Sequence, residues 1–282
     1  MPEITTAQIA KLREMTNAGM MDCKKALVET NGDLNAAVDV LRKRGIATAA
    51  KKSAREAREG AIAQCILPGS RAGVLVEVNC ETDFVAKNEM FRALCEQIAR
   101  ALAENPTVDL EAMRTDAVSR IRENIRIARH QRFELSGNGL IATYIHTGAK
   151  VGVLVEVGAG REATVAAEDF KQLVKDITLQ IAAASPSSIN REQLDPALVA
   201  RERDVAANAD AMKNKPPQAI AKIIEGKLEK FYQTVCLLEQ GFVKRNSEIS
   251  VREHIAGVAQ QLGDEIAVRR FVRFQVGEAL AA

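Results

Sequence analysis

The residues best suited to a chemical role stand together at one point of the chain, Thr82-Asp-Phe-Val85. They place a carboxylate beside a large aromatic ring, a combination suited to binding a partner surface, since buried aromatic side chains commonly dominate interfaces. Two ordinary roles compete with this interpretation. Phe84 could anchor its own turn in the core, and Asp83 could be a turn or capping residue.

The flanking elements place these residues at a strand-to-helix junction. The preceding run Gly73-Val-Leu-Val-Glu-Val78 is apolar and rich in β-branched residues, which is typical of a buried strand. A helical pattern follows, and Asn88 is placed to cap it. Its apolar face comprises Phe91, Leu94, Cys95, Ile98 and Leu102. Such junctions often carry functional groups.

The whole unit is repeated later in the chain. At a shift of 79 residues, residues 61–103 align with residues 140–182 without a gap. Strand and helix positions are retained, so the two copies should share a fold. The junction is not retained, because Glu81-Thr-Asp-Phe84 becomes Gly160-Arg-Glu-Ala163. The shared scaffold therefore does not require an aromatic ring, and this favours a functional role for Phe84.

The sequence lacks the motifs of an enzyme with its own active site. It contains no phosphate-binding loop, no dinucleotide-binding glycine motif and no nucleophile elbow. His130, His146 and His254 are far apart and do not have metal-ligand spacing. We therefore expect no catalytic residues, no metal or other cofactor, and no nucleotide binding by the chain itself.

Composition and charge limit the class of protein further. The net charge is +2, so there is no global basic field and no direct nucleic-acid binding is expected. No apolar run reaches the ~18–20 residues of a membrane span, and the N-terminus does not read as a signal peptide. The five cysteines are scattered, which is typical of reduced core thiols. These features predict a cytoplasmic protein without membrane contact.

Residues 1–56 predict a three-helix module of the ubiquitin-associated type, followed by a linker. The three helices should run from about 6 to 15, from 21 to 30 and from 34 to 44. Gly45 is a typical residue to end the third helix. The Ala-, Lys- and Arg-rich residues 46–59 predict a solvated helical linker.

The rest of the chain predicts an α+β core made of two repeated subdomains, each an antiparallel sheet with a helix. Subdomain N should comprise 57–139, and subdomain C should comprise 140–188 together with 233–282. Residues 125–135 fit either a helix or a strand. We favour a strand, because Ser136-Gly-Asn-Gly139 resembles a hairpin turn into the second copy.

Residues 189–232 predict an antiparallel helical hairpin, or coiled coil, inserted into subdomain C. Its first helix should be polar and run from Asn190 to Met212. A turn at 213–217 would place Pro217 at the first position of the second helix. The hairpin could serve self-association or partner contact, and the sequence leaves both open.

Several long stretches match a known family in the same order. They are residues 12–27, residues 77–87, Tyr144-Ile-His146 and residues 273–277. On these stretches the chain resembles the elongation factor Ts family, the guanine-nucleotide exchange factors of elongation factor Tu. The resemblance covers nearly the whole chain.

The resemblance implies a mechanism at the first junction. Thr82, Asp83, Phe84 and Val85 would enter the partner's nucleotide domain beside its magnesium and phosphate site. In such GTPases Mg²⁺ bridges the phosphates to protein side chains. A wedge that shifts these ligands would displace the ion and promote release of GDP. The implied partner is elongation factor Tu, in its GDP-bound and nucleotide-free forms.

The resemblance also implies contacts outside the junction. The N-terminal module would dock through Arg13, Met20, Met21 and Lys24. His146 would be the matching contact from the second copy, although it could also be an ordinary strand residue. Some relatives carry Val-Met after a Phe in a late loop, where this chain has Phe242-Val-Lys244. Some relatives also have a C-terminal helix beyond the position of Gly277, and we expect docking by that helix to be missing here.

One alternative function comes from a stripe of arginines, at positions 114, 120, 122, 126, 129 and 132. An RNA-associated adaptor would use this stripe, would bind with a steep salt dependence, and would be indifferent to Phe84. The near-neutral charge and the lack of stacking aromatics count against it. The stripe could also be a solvated face paired with Glu111, Asp116 and Glu123.

Overall fold

A computed structural model describes residues 4–16, 18–208 and 216–278. The N-terminal module consists of α1 (Thr6–Thr16), α2 (Met20–Glu29) and α3 (Leu34–Lys52). α3 begins at its cap residue Asp33, whose carboxylate accepts a hydrogen bond from the Ala36 N–H at 3.0 Å. The three-helix module is therefore confirmed. Its buried core consists of Ile9, Leu12, Cys23, Ala26, Leu27 and Ala37.

The prediction that Gly45 ends the third helix is wrong, since α3 continues to Lys52. Gly45 is buried against α6 (Glu111–Ile121), where an added Cβ would lie 3.7 Å from the Cβ of Ser119. One turn later, Ala49 is fully buried in the core of the first sheet. Packing on α6 thus outweighs the ~1 kcal/mol cost of a helical glycine, and the predicted linker is not wholly solvated.

In the described part of the chain, six strands form two antiparallel sheets of three strands each. The first sheet has the order β1 (Glu59–Ile66), β2 (Ala72–Cys80), β3 (Arg126–Glu134). The second has the order β4 (Gly139–Ile145), β5 (Val151–Ala159), β6 (Ile266–Gln275). The strand assigned to 125–135 is confirmed. The hairpin turn predicted at 136–139 is wrong, because β3 pairs with β2 and β4 pairs with β5.

The two sheets pack face to face through a shared apolar layer. That layer is made of Ile62, Leu75, Phe133, Ile141, Leu154 and Phe274. Two glycines allow the close approach: a Cβ on Gly73 would lie 2.9 Å from Ile141, and one on Gly152 would lie 2.6 Å from Ile62. Residues 136–139 therefore carry the chain from one sheet to the other.

Each sheet carries helices on the face opposite the shared layer, as the alternation of side chains along a strand requires. The first sheet packs on α4 (Asp83–Lys87), α5 (Glu89–Glu104) and α6. The second packs on α7 (Glu162–Ala166), α8 (Glu168–Ala184) and α11 (Val251–Leu262). The predicted apolar faces of α5 and α8 are confirmed as buried.

The repeat extends further than the ungapped alignment indicates. β3 and β6 take the same place beside β2 and β5, and each pairing has an irregularity at the same point, Glu77/Val78 in one and Glu156/Val157 in the other. Because the insertion separates β6 from the rest of the second copy, an ungapped alignment could not find this strand.

The insertion contains α9 (Pro196–Ala207) and α10 (Pro217–Val235), which pack against each other. The prediction of a helix from Asn190 is wrong, because Asp195 caps α9 and Pro196 takes its first position. The predicted first position of Pro217 is confirmed, while Met212 and residues 213–215 lie outside the described residues. Among the helices described, none is long and apolar enough to cross a membrane.

Arg191 fixes the base of this insertion. Its guanidinium donates to both carboxylate oxygens of Glu229, at 2.7 and 2.6 Å, and also to Glu239. It lies 4.3 Å from the ring centroid of Tyr232. Since Arg191 precedes α9 and Glu229 lies late in α10, the two helices run antiparallel.

Candidate functional site

Phe84 stands in the first turn of α4, the five-residue helix that joins β2 to α5. Thr82 is the N-cap residue, and its hydroxyl oxygen accepts a hydrogen bond from the Val85 N–H at 3.4 Å. Asn88 ends α4 and caps α5, accepting from the Met90 N–H at 2.8 Å. Ala86 is buried in the core below. The short helix is therefore held at both ends and from beneath.

The side chain of Phe84 points away from this support and is 82% exposed. The alternative that Phe84 anchors its own turn in the core is therefore wrong. An exposed aromatic ring on a held backbone has apolar area ready for a partner, and little conformational freedom is lost when it binds. Val85, next to it, is half-buried against the first core and supports α4 from within.

Asp83 is beside the ring and carries a negative charge. Its carboxylate accepts a hydrogen bond from the Lys87 ammonium at 2.7 Å, one turn along α4. This bond lowers the pKa of Asp83 below its ordinary value. Because Thr82 supplies the cap, Asp83 is free of that role, and its half-exposed carboxylate could exchange Lys87 for a group on a partner.

Glu123, in the loop between α6 and β3, holds the start of the junction. Its carboxylate accepts hydrogen bonds from the Glu81 N–H at 2.9 Å, the Thr82 N–H at 3.1 Å and the Thr82 hydroxyl at 2.6 Å. In return, the Glu81 carboxylate accepts from the Asn124 N–H at 2.6 Å. Sequence reasoning treated Glu123 only as a neighbour of arginines and so missed this contact.

The second copy repeats this support without the aromatic ring. Asp264, in the loop between α11 and β6, accepts hydrogen bonds from the Arg161 N–H at 2.9 Å and the Thr164 hydroxyl at 2.5 Å. At the position of Phe84 stands Ala163, which is exposed. An acid shortly before the third strand of each copy is the sequence signal that could have identified Glu123.

The four residues predicted on the N-terminal module are all exposed. Met20 and Met21 begin α2 with 56% and 62% of their surface accessible, so neither belongs to the module core. Lys24 follows them by one turn and lies on the same side of α2. Arg13 lies in the last turn of α1, close in sequence to the start of α2. These side chains present apolar and cationic groups to solvent on the N-terminal module.

His146 is exposed just beyond the end of β4, and its Nδ1 lies 3.0 Å from the Tyr144 hydroxyl. It borders two grooves. One, of about 520 Å³, has α5 and β1 as its other walls. The other, of about 410 Å³, is lined on its far side by Val243 and Lys244. Residues 82–85 are not among the residues that line either groove.

The arginine stripe is mostly paired with acids. Arg114 bonds Glu111 at 2.6 Å, Arg120 bonds Asp116 at 2.9 Å, Arg122 bonds Asp22 at 3.0 Å and Arg129 bonds Glu77 at 2.8 Å. Arg132 is paired with Glu134. The two acids predicted at 111 and 116 are confirmed as partners, whereas Glu123 is directed to the junction instead. The stripe is not a free cationic surface.

The cysteines behave as core residues. Cys23, Cys80, Cys95 and Cys236 are buried and Cys65 is half-buried, all as free thiols. Burial raises the pKa of Cys80 and of Cys95 to about 12, so both thiols stay protonated at neutral pH. Within the described ranges, no group of three or more His, Cys, Asp or Glu side chains is arranged to hold a metal ion.

Comparison with known proteins extends over nearly the whole chain. A family model described as "Elongation factor TS" matches residues 81–278, so the match begins at the junction. An "Elongation factor Ts" of Symbiobacterium thermophilum is 41% identical over 99% of this chain and 94% of its own. A protein of the same name from Lawsonia intracellularis is 39% identical over 98% of this chain and 99% of its own length. Another, from a Nostoc species, is 40% identical over 99% of this chain and 94% of its own length.

Proposed function

Because this chain belongs to the elongation factor Ts family, a family of translation elongation factors, we propose that it is a guanine-nucleotide exchange factor for elongation factor Tu. It binds the GDP-bound partner, promotes release of GDP, and stays on the nucleotide-free form until a new nucleotide enters. The proposed activity makes and breaks no covalent bond, so it is not an enzymatic reaction. The observation that carries the proposal is the 82% exposed ring of Phe84 on its held helix.

The proposed mechanism uses residues 82–85 as a wedge. The wedge enters the partner's nucleotide domain beside the Mg²⁺ and phosphate site and shifts the groups that hold the ion. Since Mg²⁺ bridges the phosphates to protein side chains in such GTPases, its displacement weakens GDP binding. By thermodynamic linkage, bound GDP weakens the binding of this chain by the same factor.

Two contributions to the free energy of binding follow from the structure of the wedge. Burying the Phe84 ring in a partner contributes ~1.5–3 kcal/mol, which corresponds to a factor of about 10 to 100 in affinity. Asp83 must release Lys87 to meet a partner group. An exposed ion pair of this kind is screened by solvent and contributes little, so this rearrangement is a small cost.

The surface of Arg13, Met20, Met21 and Lys24 is proposed as a second contact with the same partner, and His146 as a third. Their exposure supports this role. The role in elongation implies a cytoplasmic location. Self-association through the inserted hairpin stays a prediction, to which the exposed side chains of Leu198 and Val205 on α9 lend support.

The test is stopped-flow release of fluorescently labelled GDP from elongation factor Tu, with wild type and Phe84→Ala. Ile46→Ala, which shortens an exposed apolar side chain on α3 outside the proposed contacts, is the matched control. We expect wild type and I46A to accelerate release, and F84A to lose about 10- to 100-fold of the acceleration.

Other outcomes would change the proposal in defined ways. Equal acceleration by wild type and F84A would move the wedge to another contact, first to the N-terminal module. A wild-type chain that leaves GDP release from a cognate partner unchanged would refute the proposed function. The RNA adaptor has lost its main support, because five of its six arginines are paired with acids.

A further inference from the structure

The loop after α6 makes hydrogen bonds in two directions through three consecutive residues. Some of these bonds reach the junction that carries Phe84, and the others reach the N-terminal module and the segment that follows it. Resting on the proposed function, we propose that residues 122–124 are a positioning element, which we term the bracket. The bracket sets the direction of the wedge, residues 82–85. It also holds Met20 and Met21, at the start of α2, at a fixed distance and orientation from the wedge. Arg122, Glu123 and Asn124 are thus positioning residues for nucleotide exchange, and none of them needs to touch the partner.

Glu123 positions the wedge. Its carboxylate is the acceptor for two backbone N–H groups and for the hydroxyl of Thr82, the residue that caps α4. Hydrogen bonds to an ionised acceptor are stronger than those between neutral groups. A helix of five residues is too short to be stable by itself. Without Glu123, the cap residue loses its hydroxyl acceptor and the first turn of α4 loses its fixed direction.

Arg122 and Asn124 tie the same loop to the module. The Arg122 guanidinium donates to Asp22 at 3.0 Å, and Asp22 directly follows Met21. The Arg122 carbonyl accepts from the ammonium of Lys52, at the end of α3. The Asn124 side-chain amide donates to the Arg55 carbonyl at 2.7 Å. The ends of α2 and α3 are therefore bonded to the loop that holds the wedge.

A functional reason for this arrangement follows from how two surfaces bind one partner. When two contacts are held at the correct separation, the second forms without a further loss of orientational freedom. A wedge that must also be driven between partner elements gains most from a fixed direction, since small displacements of a positioned group reduce rates strongly.

The second copy supplies a matched control for Glu123. Asp264 makes the same type of bonds at α7, but the residue presented there is Ala163. Replacing either acid with alanine removes the acceptor of the N–H of the N-cap residue, Thr82 in one copy and Arg161 in the other. It also removes the acceptor of a threonine hydroxyl, which belongs to the N-cap residue in the first copy and to Thr164 inside α7 in the second. Only the replacement at 123 affects an element that carries the proposed wedge.

The experiment compares wild type, Glu123→Ala, Asp264→Ala and Arg122→Ala in stopped-flow GDP release from elongation factor Tu, over a range of exchange-factor concentrations. We expect E123A to lower the maximal rate about tenfold, the factor equivalent to one charge-assisted hydrogen bond, with little change in half-saturating concentration. D264A should keep the wild-type rate. R122A should keep the maximal rate and raise the half-saturating concentration by up to about fivefold, the range of an exposed ion pair.

Hydrogen exchange and thermal unfolding separate positioning from general stability. The amides of Glu81 and Thr82 should exchange faster in E123A, and the unfolding temperatures of E123A and D264A should fall by similar amounts. If E123A does not fold, Glu123→Gln replaces it, and this variant must release GDP more slowly than Asp264→Asn.

The outcomes distinguish this inference from the function it rests on. If wild type accelerates release but E123A is as fast, or D264A is as slow as E123A, the bracket has no positioning role and the exchange function stands. If wild type does not accelerate release, the proposed function fails, and this inference fails with it.

Discussion

Phe84 and Phe91 are two aromatic residues at the start of neighbouring helices whose replacement should have opposite consequences. The ring of Phe84 is 82% exposed, whereas Phe91, in the first turn of α5, is fully buried in the core. A fully buried phenylalanine contributes ~1.5–3 kcal/mol through its transfer from water. With about a fifth of its surface buried, Phe84 should therefore contribute only ~0.3–0.6 kcal/mol to folding on the same scale. Phe91→Ala also leaves a cavity, and should cost ~3–5 kcal/mol.

Thermal unfolding followed by far-UV circular dichroism measures this difference. For chains of this size, 1 kcal/mol corresponds to a change in Tm of ~2–4 °C. We expect F91A to lower Tm by ~6–20 °C and F84A by less than ~2 °C. F84A should instead lose exchange activity, measured by GDP release well below either Tm. A fall in Tm for F84A as large as that for F91A would refute the exposed placement of the ring and, with it, the wedge.

Two further predictions concern the scaffold. Although burial alone would raise the pKa of Glu156, hydrogen bonds from Arg269 and Arg270 hold it below its ordinary value of 4.5. The stability that ionised Glu156 contributes is therefore fully present above pH 4.5 and is lost as the pH falls through the pKa of the folded state. Between about pH 7 and about pH 4, urea unfolding should show a smaller loss of stability for Glu156→Gln than for wild type. Equal losses in the two proteins would contradict this prediction. A Cβ added at Gly152 would overlap the facing sheet, so Gly152→Ala should lower the free energy of unfolding by ~1–3 kcal/mol. Gly226 lies on α10 with nothing within 4 Å of an added Cβ, so Gly226→Ala should raise the free energy of unfolding by up to ~1 kcal/mol. Urea unfolding that showed changes of the same sign for both variants would refute the sheet-to-sheet packing.

The elements that sequence reasoning identified correctly are those with a strong local pattern. β2 and β5 are continuous apolar runs because each lies between the facing sheet and its own helices. α5 and α8 have apolar residues at helical spacing, and Asn88 is a cap with the expected bond. The internal repeat confirms these assignments, because each copy predicts the other.

The errors arose where a local signal competes with packing against a distant part of the chain. Gly45 has the residue type of a helix end, but contact with α6 carries α3 past it. Residues 136–139 have the composition of a hairpin turn, yet the strands they join pair with other strands. At 190, the polar sequence does not indicate where the helix begins, and the Asp195-Pro196 pair decides it.

The sequence by itself determined the repeated α+β architecture, the three-helix module, and the position of an unusual aromatic at one strand-to-helix junction. These depend on residue types and spacings within a few turns of chain. Only the tertiary structure decided that Phe84 is exposed, since a ring in a turn can face inward or outward with the same sequence. It also identified Glu123, whose bond to the Thr82 hydroxyl spans 41 residues. That contact exists because α6 returns the chain to the junction. The acid before the third strand of each copy marks Glu123 in the sequence, but it does not specify which groups that acid meets.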